Sequence, residues 1–267
     1  MKREESDEMY AQERQNKILD ILNKRKSISV NELTEELKFS PATIRSDLNY
    51  LSEQGLLIRT HGGATIIEKQ NHLSIERNYS FREKKNHEEK KEIAKQAINY
   101  IHDGECIILD ASSTCYELAN LLKNTKLRLT ILTNGLKAAD LLKDNSNITL
   151  ILIGGIVKGS SNTIEGLLGT EILNKVHVDC GFFSGHAFDI KEGLSDFNLY
   201  EVELKRKMRE VSSKIFALVD HSKLNKSSIA TFASTEQITT FITDHKADKE
   251  IIDSYAKAGL NIIVENK

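Results

Sequence analysis

The chain has 267 residues, of which 39% are hydrophobic and 28% charged, and its formal net charge is −2. This is the composition of a globular protein of about two domains, which excludes a disordered chain. The longest apolar run, residues 148–157, is too short to cross a bilayer, and charged residues follow Met1, so we expect a cytoplasmic protein with no membrane partner.

The cysteines and histidines show no pattern of a metal or redox site. Cys106, Cys115 and Cys180 are far apart and form no C-x-x-C pair. The eight histidines form no H-x-x-x-H pair and no cluster with carboxylates at metal-ligand spacing. We therefore expect free thiols in a reducing compartment, and neither a bound metal nor a cofactor.

The first predicted elements are three helices and a hairpin. Residues 1–12 are polar and are expected to be disordered. Apolar stripes predict helices over residues 14–24 and 31–37, and a third begins where Ser40 can cap Pro41. Gly55 ends that helix, and residues 56–67 read as two short strands around a Gly-Gly turn. This spacing predicts a winged helix-turn-helix domain over residues 13–68, followed by a linker at 69–87.

The third helix and the hairpin contain the candidate DNA-binding residues. If Ile44, Leu48 and Leu51 face the core, the polar residues of the helix face outward, where Arg45 can pair with guanine and Asn49 with adenine. The free amides at the helix start favour a phosphate, and glycines in the turn let the backbone approach one. The predicted contact residues are Ser40, Pro41, Thr43, Arg45, Ser46, Asn49, Arg59, His61, Gly62 and Gly63.

The net charge of this domain does not by itself predict binding to nucleic acid, because residues 11–70 contain nine Lys or Arg and eight Asp or Glu. A generic three-helix packing domain with a surface hairpin is one alternative. A winged domain that binds another protein is a second.

From Glu105 onward, short apolar strands alternate with helical stretches. Strands are predicted at residues 106–110, 129–133, 148–153, 178–183, 215–220, 238–243 and 261–264. Helices are predicted near residues 113–123, 135–143, 199–211 and 249–258, after an amphipathic helix that contains Ile93, Ala97 and Ile101. The alternation predicts an α/β domain over residues 88–267, with a mainly parallel sheet and flanking helices.

Polar and glycine-containing loops follow these strands and would share one edge of a parallel sheet. Asp110 ends the first strand, and Ser112, Ser113 and Thr114 follow it at the start of a helix, a position that favours an anion such as phosphate. The later loops add Asn134, Gly154, Gly155, Gly185 and Lys223. Each residue alone reads more simply as a helix cap or a turn, and Cys115 reads as a small buried cysteine. It is their coincidence on one edge that predicts a ligand site.

Two strings, T-I-R-x-D-L at Thr43–Leu48 and R-x-H-G-G-A at Arg59–Ala64, together resemble the DeoR family of bacterial transcription regulators. The resemblance runs from about Arg14 to the C-terminus. It implies a sensor domain with the fold of ribose phosphate isomerase that binds phosphorylated sugars or related metabolites. The family pattern adds Glu165, Asp179, Glu201 and Lys205 to the sensor site. The chain departs from that pattern at Ser46 (usually arginine), Ser112 (usually glycine) and Cys115 (usually threonine).

The resemblance implies a sequence-specific regulator that binds operator double-stranded DNA as a homo-oligomer, a dimer or a tetramer. It implies further a repressor of a carbohydrate-utilisation operon, modulated by a phosphorylated sugar or a related small anion. The alternative is a sugar-phosphate isomerase with an accessory winged-helix domain. Isomerases of this fold contain a K-G-x-G-G-A loop and a D-E-x-D pair, and neither string occurs here. We therefore expect no enzymatic activity and no catalytic residue.

Overall fold

The computed structural model describes residues 11–53, 57–65, 79–158 and 161–265. The chain forms two compact units, Met1–Lys85 and Asn86–Lys267. Three predictions concern residues outside the described ones. They are the disorder of residues 1–10, the helix end at Gly55 and most of the linker. Ala11 and Gln12, also expected to be disordered, begin the first helix.

The first unit is built from helices and a small antiparallel sheet. Its elements are α1 (Ala11–Arg25), β1 (Ser27–Ser29), α2 (Val30–Leu37), α3 (Pro41–Glu53), β2 (Ile58–Arg59), β3 (Gly63–Thr65) and α4 (Tyr79–Lys84). The three helices and the hairpin β2–β3 were predicted. The sequence did not indicate β1, which pairs with β3. It also did not indicate α4, which lies within the expected linker.

The core of this unit consists of the apolar stripes read from the sequence. Ile18 and Leu22 of α1, Leu33 of α2, and Ile44 and Leu48 of α3 are buried together. Their spacing of three or four residues places each set on one helix face, so burial of these faces packs the helices against each other.

The second unit is an α/β domain. Its helices are α5 (His87–Ala97), α6 (Ser113–Leu122), α7 (Leu136–Leu142), α8 (Leu199–Glu210) and α9 (Lys249–Lys257). Its strands are β4 (Cys106–Leu109), β5 (Leu129–Thr133), β6 (Ile148–Leu152), β7 (Val178–Phe183), β8 (Ala187–Asp189), β9 (Gly193–Asp196), β10 (Ser212–Leu218), β11 (Ala230–Ala233), β12 (Thr240–Thr243) and β13 (Ile262–Val264). All seven strands predicted from the sequence are present.

These seven strands form one sheet in the order β13-β12-β10-β7-β4-β5-β6, and every pairing is parallel. Successive residues point to opposite faces. Ile107 and Leu109 pack on one side, against α5 and α6, while Ile108 packs on the other, with residues of α8. Both faces are covered, which explains why the strands read as continuous apolar runs. The prediction of a mainly parallel sheet with flanking helices is confirmed.

The sequence did not indicate the antiparallel sheet β11-β9-β8. Its strands are short, and Ser195 and Asp196 of β9 are polar although they are buried. A strand with polar residues at buried positions lacks the alternation of apolar and polar residues by which a strand is recognised in a sequence. None of the described helices is long and apolar enough to cross a membrane. All three cysteines are free thiols.

Candidate functional site

Helix α3 begins as predicted. The Ser40 hydroxyl oxygen accepts a hydrogen bond from the Thr43 backbone N–H at 3.2 Å, and Pro41 is the first helical residue. Ile44, Leu48 and Leu51 are buried. Arg45, Ser46 and Asn49 are exposed and Thr43 is half-buried, so the predicted outward face of the helix is confirmed.

The hairpin β2–β3 forms the wing, and Arg59 ties it to α3. The sequence did not indicate this link. The Arg59 Nε donates to the Asn49 Oδ1 at 3.1 Å, and Nη1 donates to the Gly63 carbonyl. A bidentate pair with adenine uses both the oxygen and the nitrogen of an asparagine amide. The Asn49 oxygen already accepts one hydrogen bond from Arg59, which leaves its second lone pair and the amide nitrogen for such a pair.

The two glycines of the wing have different roles. A Cβ atom on Gly62 would meet nothing within 4 Å, whereas one on Gly63 would lie 2.1 Å from the Ile28 carbonyl oxygen. Gly63 is buried in β3 opposite Ser29 of β1. The expectation that Gly63 allows close approach of a phosphate is therefore corrected, because its missing side chain is needed for packing against β1. Gly62 and His61 remain exposed.

A buried carboxylate anchors the other side of α3. Asp47 accepts hydrogen bonds from Arg14 Nη2 and Gln15 Nε2 of α1, each at 3.1 Å. The hydrogen bond to Asp47 raises the pKa of Arg14. The Arg14 guanidinium also lies 4.7 Å from the centre of the Phe39 ring. This network fixes the rotation of α3 about its axis, which aims Arg45 outward.

In the second unit, the carboxyl ends of the parallel strands meet at one edge, which we call the rim. Asp110 follows β4, Asn134 follows β5, Ser184 follows β7 and Asp220 follows β10. Asp110 joins two of these loops, because its Oδ1 accepts from Ser112 N and its Oδ2 from Ser184 N, each at 3.0 Å. The prediction that these loops share one edge is confirmed.

Lys205 reaches the rim from α8 and is fully engaged within the protein. Its Nζ donates to the Ser184 carbonyl at 2.8 Å and to Asp196 Oδ2 at 2.9 Å, and it lies 3.1 Å from Asp110 Oδ2. Burial alone would lower the pKa of Lys205, but Asp110, Asp196 and Glu201 together raise it above its ordinary value. An ammonium has three protons to donate. Lys205 therefore binds a ligand only by exchanging one of these partners.

Lys223 is the more accessible ammonium of the rim. Its Nζ donates to Ser184 Oγ at 3.0 Å, it lies 3.6 Å from Asp220 Oδ2, and 19% of its side chain is exposed. Asp220 also accepts from Asn86 Nδ2 at 2.8 Å. Burial alone would raise the pKa of Asp220, but Lys223, Ser222, Lys90 and Asn86 hold it below its usual range.

The first turn of α6 contributes hydroxyl groups to the rim. The Ser112 oxygen caps the helix by accepting from Cys115 N at 3.1 Å, and Ser113 is buried beside it. Thr114 Oγ1 is buried and has no hydrogen-bond partner among the described residues. Cys115 is fully buried, as predicted, and burial raises the pKa of its thiol.

Other predicted rim residues hold loops together. Asn134 Oδ1 accepts from Ala111 N, and its Nδ2 donates to the Ile164 carbonyl, each at 2.9 Å. Glu165 pairs with Lys158 at 2.8 Å and accepts from Asn198 Nδ2. Of the glycines, Gly154 and Gly155 are exposed, and a Cβ on Gly155 would lie 2.6 Å from the Glu165 carbonyl oxygen. Gly185 is buried.

Asp179 does not belong to the rim. It is the second residue of β7, so it lies at the amino end of the sheet, and its Oδ2 accepts from the Cys106 backbone N–H at 2.9 Å. The inclusion of Asp179 in the sensor site was therefore wrong, because that carboxylate satisfies the first amide of β4. A cavity of about 440 Å³ lies beside the first turn of α7 and involves residues that the sequence did not single out. It is lined by Tyr116, Leu136, Lys137, Asp140, Leu141 and Asn162.

Comparison with known proteins agrees with this architecture. Residues 14–70 match the DeoR-like helix-turn-helix domain, and residues 85–245 match the DeoR C terminal sensor domain. The chain is 42% identical over 254 residues to the HTH-type transcriptional regulator GolR of Listeria innocua, covering 95% of this chain and 98% of that protein. It is 34% identical to the HTH-type transcriptional repressor GlcR of Bacillus subtilis, covering 96% and 97%.

A third relative is the putative aga operon transcriptional repressor of Escherichia coli O157:H7, which is 32% identical over 94% of this chain and 93% of that protein. Among solved structures, ribose 5-phosphate isomerase A from Methanocaldococcus jannaschii matches with 20% identity and a TM-score of 0.40. That match covers 52% of this chain and 55% of the isomerase.

A winged helix-turn-helix with an outward-facing third helix, joined in one chain to an α/β sensor unit, defines a DNA-binding transcription regulator. The chain belongs to the DeoR family of such regulators. Its relatives are named as transcription regulators, which places it among regulators rather than enzymes.

Proposed function

We propose that this protein represses a carbohydrate-utilisation operon in the cytoplasm and releases its operator when a phosphorylated sugar or a related small anion binds the rim. The observation that carries the proposal is the outward face of α3, where Arg45 and Ser46 are exposed while Ile44 and Leu48 are buried. An exposed arginine near the start of such a helix is placed to pair with guanine in the major groove.

The proposed DNA contacts divide into two groups. Arg45, Ser46 and Asn49 face the bases, and the Asn49 amide keeps its nitrogen and one oxygen lone pair for adenine while Arg59 holds its orientation. The remaining contacts bind the backbone of the duplex, because helix N-termini and exposed turns favour phosphate. They are Ser40, Pro41, Thr43, Arg59, His61 and Gly62.

The proposed effector site is the rim. Thr114 has a buried hydroxyl without a partner among the described residues, and Lys223 has a partly exposed ammonium. A phosphate accepts hydrogen bonds from both kinds of group. The other proposed contacts shape the site, and the charged groups among them are paired within the protein. They are Asp110, Ser112, Ser113, Asn134, Gly154, Gly155, Glu165, Gly185 and Lys205.

Two of three relatives' names support repression, and the operon names support the substrate class. GlcR and the aga operon protein are named repressors, whereas a relative from Haemophilus influenzae, 33% identical, is named the L-fucose operon activator. Two of these names refer to operons, and one of them contains the name of a sugar. Repression of a carbohydrate operon is therefore the proposal for this chain.

The test measures DNA binding and ligand binding on the same protein. The full chain is titrated onto a labelled duplex from the region upstream of its own gene and onto a scrambled duplex, followed by fluorescence anisotropy. We expect tighter binding to the first duplex, and loss of that binding with one member of a panel of pentose and hexose phosphates. Each unphosphorylated sugar is the control. Equal affinity for both duplexes would contradict sequence-specific binding, and indifference to every phosphate would contradict the effector class.

That panel is also tested by thermal unfolding, because a ligand that binds the folded sensor raises its melting temperature. We expect the sugar phosphate that releases DNA to stabilise the protein, and its stabilisation to decrease in a Lys223→Met variant. A releasing ligand that stabilises this variant as much as the wild type would remove Lys223 from the site.

A further inference from the structure

An exposed apolar patch lies beside Glu165 in the second unit. Six residues form it, and each exposes between 40% and 80% of its surface. They are Ile156, Val157, Leu167, Leu168, Leu199 and Tyr200. Leu168, with 80% exposed, is the most exposed of them.

Contacts between three chain segments gather these residues into one surface. Ile156 and Glu165 exchange two backbone hydrogen bonds of 2.9 Å, and Gly166 N donates to the Tyr200 carbonyl at 3.3 Å. The Lys158 Nζ lies 4.1 Å from the centre of the Tyr200 ring. The loop at residues 156–158, the turn after Glu165 and the first turn of α8 therefore adjoin one another.

The size and the charge of the patch indicate what covers it. The six residues expose on the order of 600 Å², compared with the ~800 Å² that each partner contributes to a standard interface. The cation at its border, Lys158, is neutralised by Glu165 at 2.8 Å. An interface with twofold symmetry brings the same patch of both copies together, and an apolar patch with a compensated charge at its border opposes this with no like-charge repulsion.

We propose that this patch is the contact surface between two copies of this chain. The inference rests on the proposed function in one respect, because a pair of chains presents two α3 helices to two half-sites of an operator. Burial of Leu168, Leu199 and Tyr200 against the same residues of a second copy removes apolar surface from water on both sides.

Sedimentation velocity of the full chain without DNA, over a range of concentrations, tests the proposal. Leu168→Glu and Leu199→Glu each place a carboxylate in the patch, and the second lies at the first position of α8, where a negative charge is favourable for the helix. Leu121→Glu is the matched control, because Leu121 is also partly exposed but lies at the far end of α6 from the rim. Circular dichroism melting curves check that each variant folds.

We expect the wild type and Leu121→Glu to sediment as a dimer or a larger species. Each patch variant should raise the dissociation constant about tenfold or more, because a carboxylate must then be buried in the contact. A monomeric wild type, or patch variants that associate as tightly as the wild type, would overturn the proposal. A chain that associates through the patch but binds no operator would contradict the proposed function while supporting the surface.

Discussion

Arg45 and Asp47 lie two residues apart on α3 and have opposite environments. Asp47 is buried and accepts from Arg14 and Gln15, whereas Arg45 is exposed. Two residues along a helix correspond to a rotation of about 200°, so one side chain can anchor the helix while the other faces outward. Asp47 adds a negative charge to the composition of this domain. Because that charge is paired with Arg14, it does not repel the phosphates of DNA.

Replacement of Arg45 by alanine should weaken binding to the operator by about 1–3 kcal/mol and relax the base preference at one position. The physical reason is the loss of a bidentate pair with guanine. Anisotropy titrations with the operator and with single-base variants measure both effects. Arg128→Ala, which removes an exposed arginine of the sensor unit, is the control and should leave affinity unchanged. An Arg45→Ala protein with wild-type affinity and base preference would remove Arg45 from the reading surface.

Lys205 is the residue on which the rim depends for stability. Lys205→Met leaves Asp110 and Asp196 buried without their cation, which should cost about 3–5 kcal/mol of unfolding free energy. Urea denaturation followed by circular dichroism measures the loss. Adding Asp196→Asn should recover part of it, because one of the two uncompensated charges is removed. A double variant no more stable than Lys205→Met would show that charge balance is not the cause.

At the scale of elements, the wing depends on β1, which pairs with β3 and packs against Gly63. Ser29 ends β1 and also caps α2, where it forms a capping box with Glu32. The same short segment therefore positions both the wing and a helix of the helix-turn-helix. Arg59 adds the link from β2 to α3.

Gly63→Ala should destabilise the first unit by about 1–3 kcal/mol and weaken operator binding, because its Cβ would collide with the backbone of Ile28. Gly62→Ala is the matched control, since its Cβ would enter open space. Thermal unfolding and operator titration of the two variants compare them directly. If both behave alike, the packing of β3 against β1 does not limit the wing.

At the scale of the whole molecule, a regulator must couple its ligand site to its DNA site. A ligand shifts DNA binding only if its affinity differs between the DNA-bound and free proteins. By linkage, the factor by which the ligand weakens DNA binding equals the factor by which DNA weakens ligand binding.

We therefore expect the dissociation constant of the releasing sugar phosphate, measured by calorimetry, to rise when saturating operator is present. The rise should match the fold-loss of DNA affinity that the same ligand causes in anisotropy titrations. A scrambled duplex is the control. Unequal factors would indicate that the ligand acts on the DNA or on a second equilibrium rather than through the protein.

Local pattern in the sequence was sufficient for the main architecture. Apolar periodicity predicted α1, α2 and α3 of the first unit, because burial of one helix face imposes a period on the residues that form it. Short apolar runs predicted all seven strands of the parallel sheet, because both faces of that sheet are covered. Ser40 and Pro41 predicted the start of α3, since a capping hydrogen bond joins neighbouring residues. The order of strands and loops also predicted that Asp110, Asn134 and Lys223 approach one edge.

The tertiary structure alone decided which polar groups pair. Asp47 meets Arg14 across 33 residues, and Lys205 meets Asp110 across 95, so no local spacing could indicate either pair. The same reason explains β1 and the antiparallel sheet, whose short strands depend on distant partners for their hydrogen bonds. A side chain's type and spacing establish what it can bind, but the partner it does bind depends on which distant segments the fold brings beside it.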